Sequence, residues 1–398
     1  MKTMKKMFVA AVSMMMIISM AACGDSNKPS DPNQGNATDA IKIGLHFELS
    51  GEVADYGNAE LKGAQLAIKQ ANEVAGYEKY AGIVYDNKSD ASESVILSNQ
   101  LVADKVVGVV GPATSGNSVA SYQILNDAKI AVISPSATAN NVTFSDPKDT
   151  TSPIYEYVFR VCFEDSYQGA AMAQYAYDTL GKTKAVIYGD STTDYAKGLA
   201  ESFEQQFTKL GGEIVSVENY VGKDTDFSSV LTKIQGLDFD LIYIPGYYAE
   251  AGLIIKQARE MGITQPIVGS DGFDSTSLIE LAGADSLNDV YFTTAYTTVG
   301  ASDKLQAFLD AYTTEYNEDP SMFSALAFDS VNVLIQAIEE ADSTEAEAIQ
   351  AALVNIDFTG ITGDFSFDNT HTPIKSVLVV KLIDGVQAEA EAVSPQID

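Results

Sequence analysis

The sequence predicts an α/β protein of two lobes, each a parallel β-sheet covered by helices on both faces, joined by several chain crossings that form a hinge. Three observations carry this expectation. Apolar, β-branched runs alternate with helix-period patterns along most of the chain. The apolar runs are continuous rather than alternating, as in strands buried on both faces. The alternation also comes as two successive series, with a break after the run 158–163.

The first series has strand candidates at 41–47, 82–85, 106–110, 130–134 and 158–163. The second has them at 184–188, 213–217, 241–245, 267–269 and 290–294. Helix patterns lie between. In 57–74, Leu61, Ala64, Ile68 and Ala71 recur at helical spacing. The patterns 195–210 and 250–261 run into Gly211-Gly212 and Gly262, which are C-cap signals. Past Thr294 the chain reads as helical at 303–316, 321–340 and 345–354, then as one strand at 376–383. So few strands cannot build a third lobe, so this section is expected to return to the first lobe and cross back. The expected boundaries are 41–162 plus 297–365 for lobe 1, 163–294 plus 376–388 for lobe 2, and a tail at 389–398. No tandem repeat interrupts the pattern.

Ahead of the lobes the composition changes. Lys2, Lys5 and Lys6 precede an uncharged apolar run that ends in Met20-Ala21-Ala22-Cys23-Gly24. This reads as a signal peptide, 1–22, with a lipoprotein-type cleavage box, although Met20 stands where Leu is usual. The run falls short of the roughly 18–20 residues that span a bilayer. Lipid on Cys23 would then anchor the protein to the outer face of the cell membrane; an ordinary cleaved signal is the alternative. Residues 23–40 are rich in Gly, Pro, Asn, Asp and Ser, with almost nothing to bury, and read as a flexible tether.

The 398 residues allow two domains of ordinary size. A formal charge of -31 leaves no electrostatic footprint for nucleic acid and repels anionic lipid head groups. After Cys23 only Cys162 remains, inside an apolar run, so no disulfide can form within the mature body and Cys162 reads as a buried hydrophobe. Two histidines, His46 and His371, argue against a Ser-His-Asp triad or a His-rich zinc site. Leu180-Gly-Lys-Thr183 looks like the end of a phosphate-binding loop, yet it leaves a helix to enter a strand, the reverse of that motif. No Gly-x-Ser-x-Gly elbow occurs. Neither an enzyme nor a bound cofactor or metal is expected, and the acidic run 337–347 reads as a solvated helix face.

In open parallel α/β sheets, ligands bind beyond the carboxyl ends of strands. After the run 106–110 comes Gly111-Pro-Ala-Thr-Ser115-Gly116-Asn117, then a helix. Ser115 offers a hydroxyl beside backbone N–H groups, which suits a carboxylate. After 130–134 comes Pro135-Ser136-Ala137-Thr138, a second pair of hydroxyls. Plain N-capping is the alternative for each. The second lobe offers Tyr195, Tyr247 and Ser270-Asp271-Gly272 at the equivalent places. Asp271 could accept from an ammonium while the tyrosines shape a cleft, or it could cap a helix with the tyrosines at the surface. Hydroxyls and helix ends from one lobe, facing a carboxylate from the other, would fit a zwitterion.

The same residues carry a resemblance. Leu49-Ser-Gly-Glu-Val-Ala-Asp-Tyr56-Gly, Gly111–Gly116, Ser134-Pro-Ser-Ala-Thr138-Ala, Asp194-Tyr195-Ala-Lys-Gly-Leu-Ala200 and Gly246-Tyr247 through Gln257-Ala-Arg-Glu-Met-Gly262 follow in order. By these the chain resembles the branched-chain amino acid (Leu/Ile/Val) binding proteins of ABC importers, from Ile41 to about Gly385. The resemblance implies two Rossmann-like lobes around a hinge, in the type I periplasmic-binding-protein arrangement. It implies a monomeric extracytoplasmic receptor that closes on an amino acid and passes it to a permease with separate ATPase subunits. Ser115 and Thr138 would hold the ligand carboxylate, with the Ser136 and Ala137 backbone beside them. Asp271 would hold the ammonium, where Glu is commoner, and Tyr195 would add a polar contact. Tyr56, Tyr247 and Phe323 would line the side-chain pocket. Glu48 stands near the cleft where a neutral residue is expected, and the disulfide of some relatives is absent. An aliphatic, an aromatic or a small amide ligand, and a sensor rather than an uptake role, stay open at this point.

Overall fold

The computed structural model describes residues 40–395. The segment read as a signal peptide, Cys23, the residues read as a tether up to 39, and residues 396–398 lie outside the described residues.

The first half of the chain alternates strand and helix: β1 (Ile41–Phe47), α1 (Ala54–Ala75), β2 (Tyr80–Asp86), α2 (Ala91–Asp104), β3 (Gly108–Val110), α3 (Ser115–Asp127), β4 (Ala131–Ser134) and β5 (Val158–Arg160). The five strands form one parallel sheet in the order β2-β1-β3-β4-β5. β3 and β4 are fully buried along their length, which explains their unbroken Val and Ile runs.

The chain then builds α4 (Asp165–Gln174), β6 (Lys184–Asp190), α5 (Asp194–Lys209), β7 (Glu213–Tyr220), α6 (Ser228–Gln235), β8 (Leu241–Ile244), α7 (Tyr248–Glu260), β9 (Ile267–Gly269), α8 (Thr276–Ala282) and β10 (Val290–Thr294). The helices α9 (Asp303–Tyr316), α10 (Met322–Ala341) and α11 (Ala346–Val354) follow, then the short strands β11 (Phe358–Thr359) and β12 (Asp364–Phe365), and the hairpin β13 (Val377–Ile383) and β14 (Val386–Val393). The second sheet has seven strands, β14-β13-β10-β9-β8-β6-β7. β10, β9, β8, β6 and β7 run parallel, whereas β13 and β14 add an antiparallel edge.

That edge differs from expectation. The residues read as the start of a tail, from 389, continue β14 to Val393. Asp384 and Gly385 turn the hairpin, both with positive φ, at 51° and 79°. A two-residue Asp-Gly turn is the strongest short hairpin signal. β14 itself alternates small and acidic residues, which hides it from a hydrophobicity reading.

Helix α10 packs against α1 and over β3 and β4, α9 also touches α1, and α11 reaches β4. The first sheet is thus covered by helices from both ends of the chain. α1 and α10 meet backbone to backbone at Gly63, where a Cβ would lie 2.0 Å from the Ser324 carbonyl oxygen. The chain passes between the two sheets after β5, after β10 and after β12.

Candidate functional site

The C-terminal ends of β1, β3 and β4 supply one wall. Glu48 follows β1 directly. Its carboxylate accepts from Ala113 N (2.9 Å), Thr114 N (3.0 Å), Thr114 Oγ1 (2.7 Å) and Asn117 Nδ2 (2.7 Å). Glu48 is therefore a fully bonded clamp on the loop before α3, and it is wholly buried. This accounts for a charged residue at a place where a neutral one was expected.

With that loop fixed, Ser115 begins α3. Its Oγ accepts from Ala139 N at 3.1 Å, so its own proton remains to be donated. Ser136 follows β4, and its Oγ contacts Glu60 and, at 2.9 Å, the Ala113 carbonyl. Ala137 and Thr138 are buried behind this surface. The Ala137 carbonyl accepts from Cys162 Sγ (3.4 Å), and the Thr138 carbonyl from Asp165 N (2.9 Å). Thr138 Oγ1 has no partner among the described residues.

The ends of β6, β8 and β9 supply the other wall. Tyr195 lies in the first turn of α5, Tyr247 precedes α7, and Asp271 opens a short turn after β9. Asp271 Oδ1 accepts from Tyr195 OH (2.6 Å) and Gln168 Nε2 (3.0 Å). Both bonds fall on one oxygen, which leaves Oδ2 as the acceptor open to a ligand. Tyr195 OH in turn accepts from Gly272 N (3.0 Å) and lies 2.8 Å from Ser270 Oγ. Burial pushes the Asp271 carboxyl up to about 6, partly offset by these bonds. Gln168 also donates to Asp165 (2.9 Å), whose carboxyl is raised well above the usual range by burial and by the Asp271 charge.

Aromatic rings close the space between the walls. Tyr56, from α1, stacks on Phe323 with centroids 4.2 Å apart and meets Tyr247 edge-on at 5.7 Å. Tyr247 stacks on Tyr195 at 5.1 Å. Tyr56 OH donates to the Gly272 carbonyl (2.6 Å) and accepts from Tyr248 N (3.2 Å), tying α1 to the opposite lobe. Gly272 has no room for a side chain, since a Cβ would lie 2.6 Å from the Gly246 carbonyl oxygen.

Of the residues singled out in the sequence, Tyr56, Ser115 and Ser136 meet Tyr195, Tyr247, Asp271 and Phe323 around one small cavity. Ala137 and Thr138 are not part of its lining. The sequence reading missed Glu60, Asp165 and Gln168, which hold the lining groups in place. Cys162 is buried and its thiol is pushed up to about 12 by desolvation, which leaves it chemically inert. Among the described residues no His, Cys, Asp and Glu cluster could hold a metal. The cavity thus offers a hydroxyl donor at a helix start, a carboxylate acceptor opposite and aromatic sides between.

Comparison with known proteins fits this geometry. The family model described as periplasmic binding protein matches residues 40–387. The leucine-, isoleucine-, valine-, threonine- and alanine-binding protein of Pseudomonas aeruginosa is 29% identical over 340 residues, covering 83% of this chain and 87% of that one. Among solved structures, the branched-chain amino acid transporter substrate binding protein LivJ of Streptococcus pneumoniae, in complex with isoleucine, is 42% identical with a TM-score of 0.83, covering 89% of this chain and all of that one. A leucine binding protein of Thermotoga maritima is 32% identical with a TM-score of 0.81, covering 90% of this chain and 99% of that one. On the match across both lobes, this chain belongs to the periplasmic binding protein family, in its two-lobed type I form.

Proposed function

We propose that the protein is an extracytoplasmic receptor that captures a branched-chain or related amino acid between its lobes and delivers it to a permease powered by separate ATPase subunits. The observation that carries this reading is that Asp271 and Ser115 line one cavity from opposite walls. A free amino acid carries an ammonium and a carboxylate on one carbon and matches both. Ser115 would donate to the carboxylate, with favourable partial charge from the start of α3. Asp271 would accept a charge-assisted hydrogen bond from the ammonium. Tyr56, Tyr247 and Phe323 would enclose the side chain. The Ser136 backbone and, behind the lining, Ala137 and Thr138 would back the carboxylate side. The named ligands of the similar proteins support this class.

The mechanism is capture without turnover. Open and closed lobe arrangements exchange, and a ligand that touches both walls favours the closed one. A micromolar affinity, about -8 kcal/mol, suits uptake. Lipid on Cys23 and the tether after it would hold a monomeric receptor near its permease at high effective concentration.

Titration calorimetry of the mature protein against the twenty amino acids tests this. Heat is expected with the branched-chain group, and silence with all twenty overturns the reading. Asp271→Ala should weaken binding at least about 100-fold, because it leaves a buried ammonium without its charged partner, while circular dichroism shows an intact fold. Undiminished binding would remove Asp271 from its assigned role.

A further inference from the structure

Glu60 sits on α1, one helical turn from Tyr56, and is completely buried. Its Oε1 contacts Ser136 Oγ. Its Oε2 has no hydrogen-bond partner among the described residues. The charged group that faces it, from the end of β1, is another carboxylate, Glu48. From α3 the nearby titratable group is the Tyr122 phenol, whose OH points to the Gly111 carbonyl at 3.3 Å. α10 approaches α1 one turn further on, at Gly63, through the uncharged Ser324 backbone. An ionised carboxylate in this position would be a buried, half-bonded charge beside a second carboxylate, and such charges neutralise instead.

The hydroxyl of Ser136 supplies an independent argument. Its Oγ lies within hydrogen-bond distance of two acceptors, Glu60 Oε1 and the Ala113 carbonyl. A serine has a single proton to donate. Both contacts are satisfied only if one of them carries a proton from the other side, and a carbonyl has none. Of the two groups, only Glu60 can supply that second proton.

We infer that Glu60 is a neutral carboxylic acid in the folded protein, donating to Ser136 Oγ and so making Ser136, whose own proton goes to Ala113, a pure acceptor aimed at the ligand ammonium. Ser136 lines the cavity, so its remaining lone pair is available there. The ammonium then meets an acceptor on each wall, Asp271 on one and Ser136 on the other. Glu60 touches no ligand and is a positioning residue. Burial pushes its carboxyl well above the usual range, in agreement with a retained proton. The ligand-facing part of this inference rests on the capture reading above. The protonation part does not.

The variants Glu60→Gln and Glu60→Ala separate the two parts. A group protonated in the folded state and ionised in the unfolded one loses stability as pH rises. The melting temperature of Glu60→Gln minus that of the wild type, without ligand, should therefore grow steadily from pH 5 to pH 8. A constant difference means that Glu60 is ionised, and overturns the inference. For binding, isoleucine is the probe. The Gln variant donates an amide N–H where the acid donated O–H, and should rescue the affinity that Glu60→Ala loses by about tenfold. Ser136→Ala should lose a similar factor, and the Glu60→Ala/Ser136→Ala double variant no more than either alone. Additive losses would show that Glu60 does not act through Ser136 and overturn its positioning role. Failure of the wild type to bind any amino acid would sink the capture reading, while the melting series would still decide the protonation of Glu60.

Discussion

Asp271 spends one oxygen on Tyr195 and Gln168 and keeps the other for a ligand, and that division makes its titration visible. Its carboxyl titrates near 6, with Tyr195, Gln168 and the Asp165 and Asp274 carboxyls around it. Only the ionised form attracts an ammonium. Affinity for isoleucine should hold above about pH 6 and fall about tenfold per pH unit below it; calorimetry from pH 8 to pH 4.5 reads this directly, and a flat profile rules it out. The effect on stability has the opposite sign. The folded value lies above the unfolded one, so Asp271's contribution is fully present below about pH 4 and is lost as pH rises through about 6. Ser115, Tyr195 and Asp271 were legible in the sequence because each follows a strand in a short, recognisable turn. Glu60 was missed although a signal existed: Tyr56, Glu60, Ala64 and Ala67 share the buried stripe of α1, so a carboxylate falls on an apolar face. Gln168 and Asp165 carried no such sign, because their roles depend on α4 lying beside β10 and the turn after β9, which only tertiary packing decides.

The first turn of α1 acts as a clasp between the lobes. Tyr56 bonds Gly272 and Tyr248, Asp55 accepts from Ser275 Oγ, and the Glu52 carbonyl accepts from Tyr248 OH at 3.2 Å. The Lys223–Glu52 ion pair, at 3.3 Å, spans the same gap but is largely exposed and contributes little. Tyr56→Phe removes a donor and an acceptor from a buried site, at about 1 kcal/mol for each bond. It should shift the lobes towards the open arrangement and lower isoleucine affinity roughly tenfold; small-angle scattering that shows no more extended population would contradict the clasp. The helices and central strands follow their sequence patterns closely, since each is a continuous apolar or 3.6-period run. β14 does not, because an edge strand needs little burial and its acidic residues face water.

At the scale of the molecule, neither lobe is a continuous stretch of chain. α10 covers β3 and β4 of a sheet whose strands end some way before it begins. A chain ending at Ala295 would contain every strand of the first sheet and yet leave Gly108, Ala131 and Ile133 without their cover from α10. Such a fragment should aggregate on expression, whereas one ending at Val393 should stay soluble; a soluble, monomeric short fragment would show that α10 is dispensable. The two-lobe arrangement was legible in the sequence from the two series of strands, but the return of the last helices was an inference by elimination. The passage of the chain between the sheets after β5, β10 and β12 also orders events in time. As the polypeptide emerges from the ribosome, the first sheet has its strands early but cannot seal its core until the last third has appeared. The first lobe is held back from its native form for most of synthesis, which leaves the chain unfolded for as long as a narrow export channel would need to thread it.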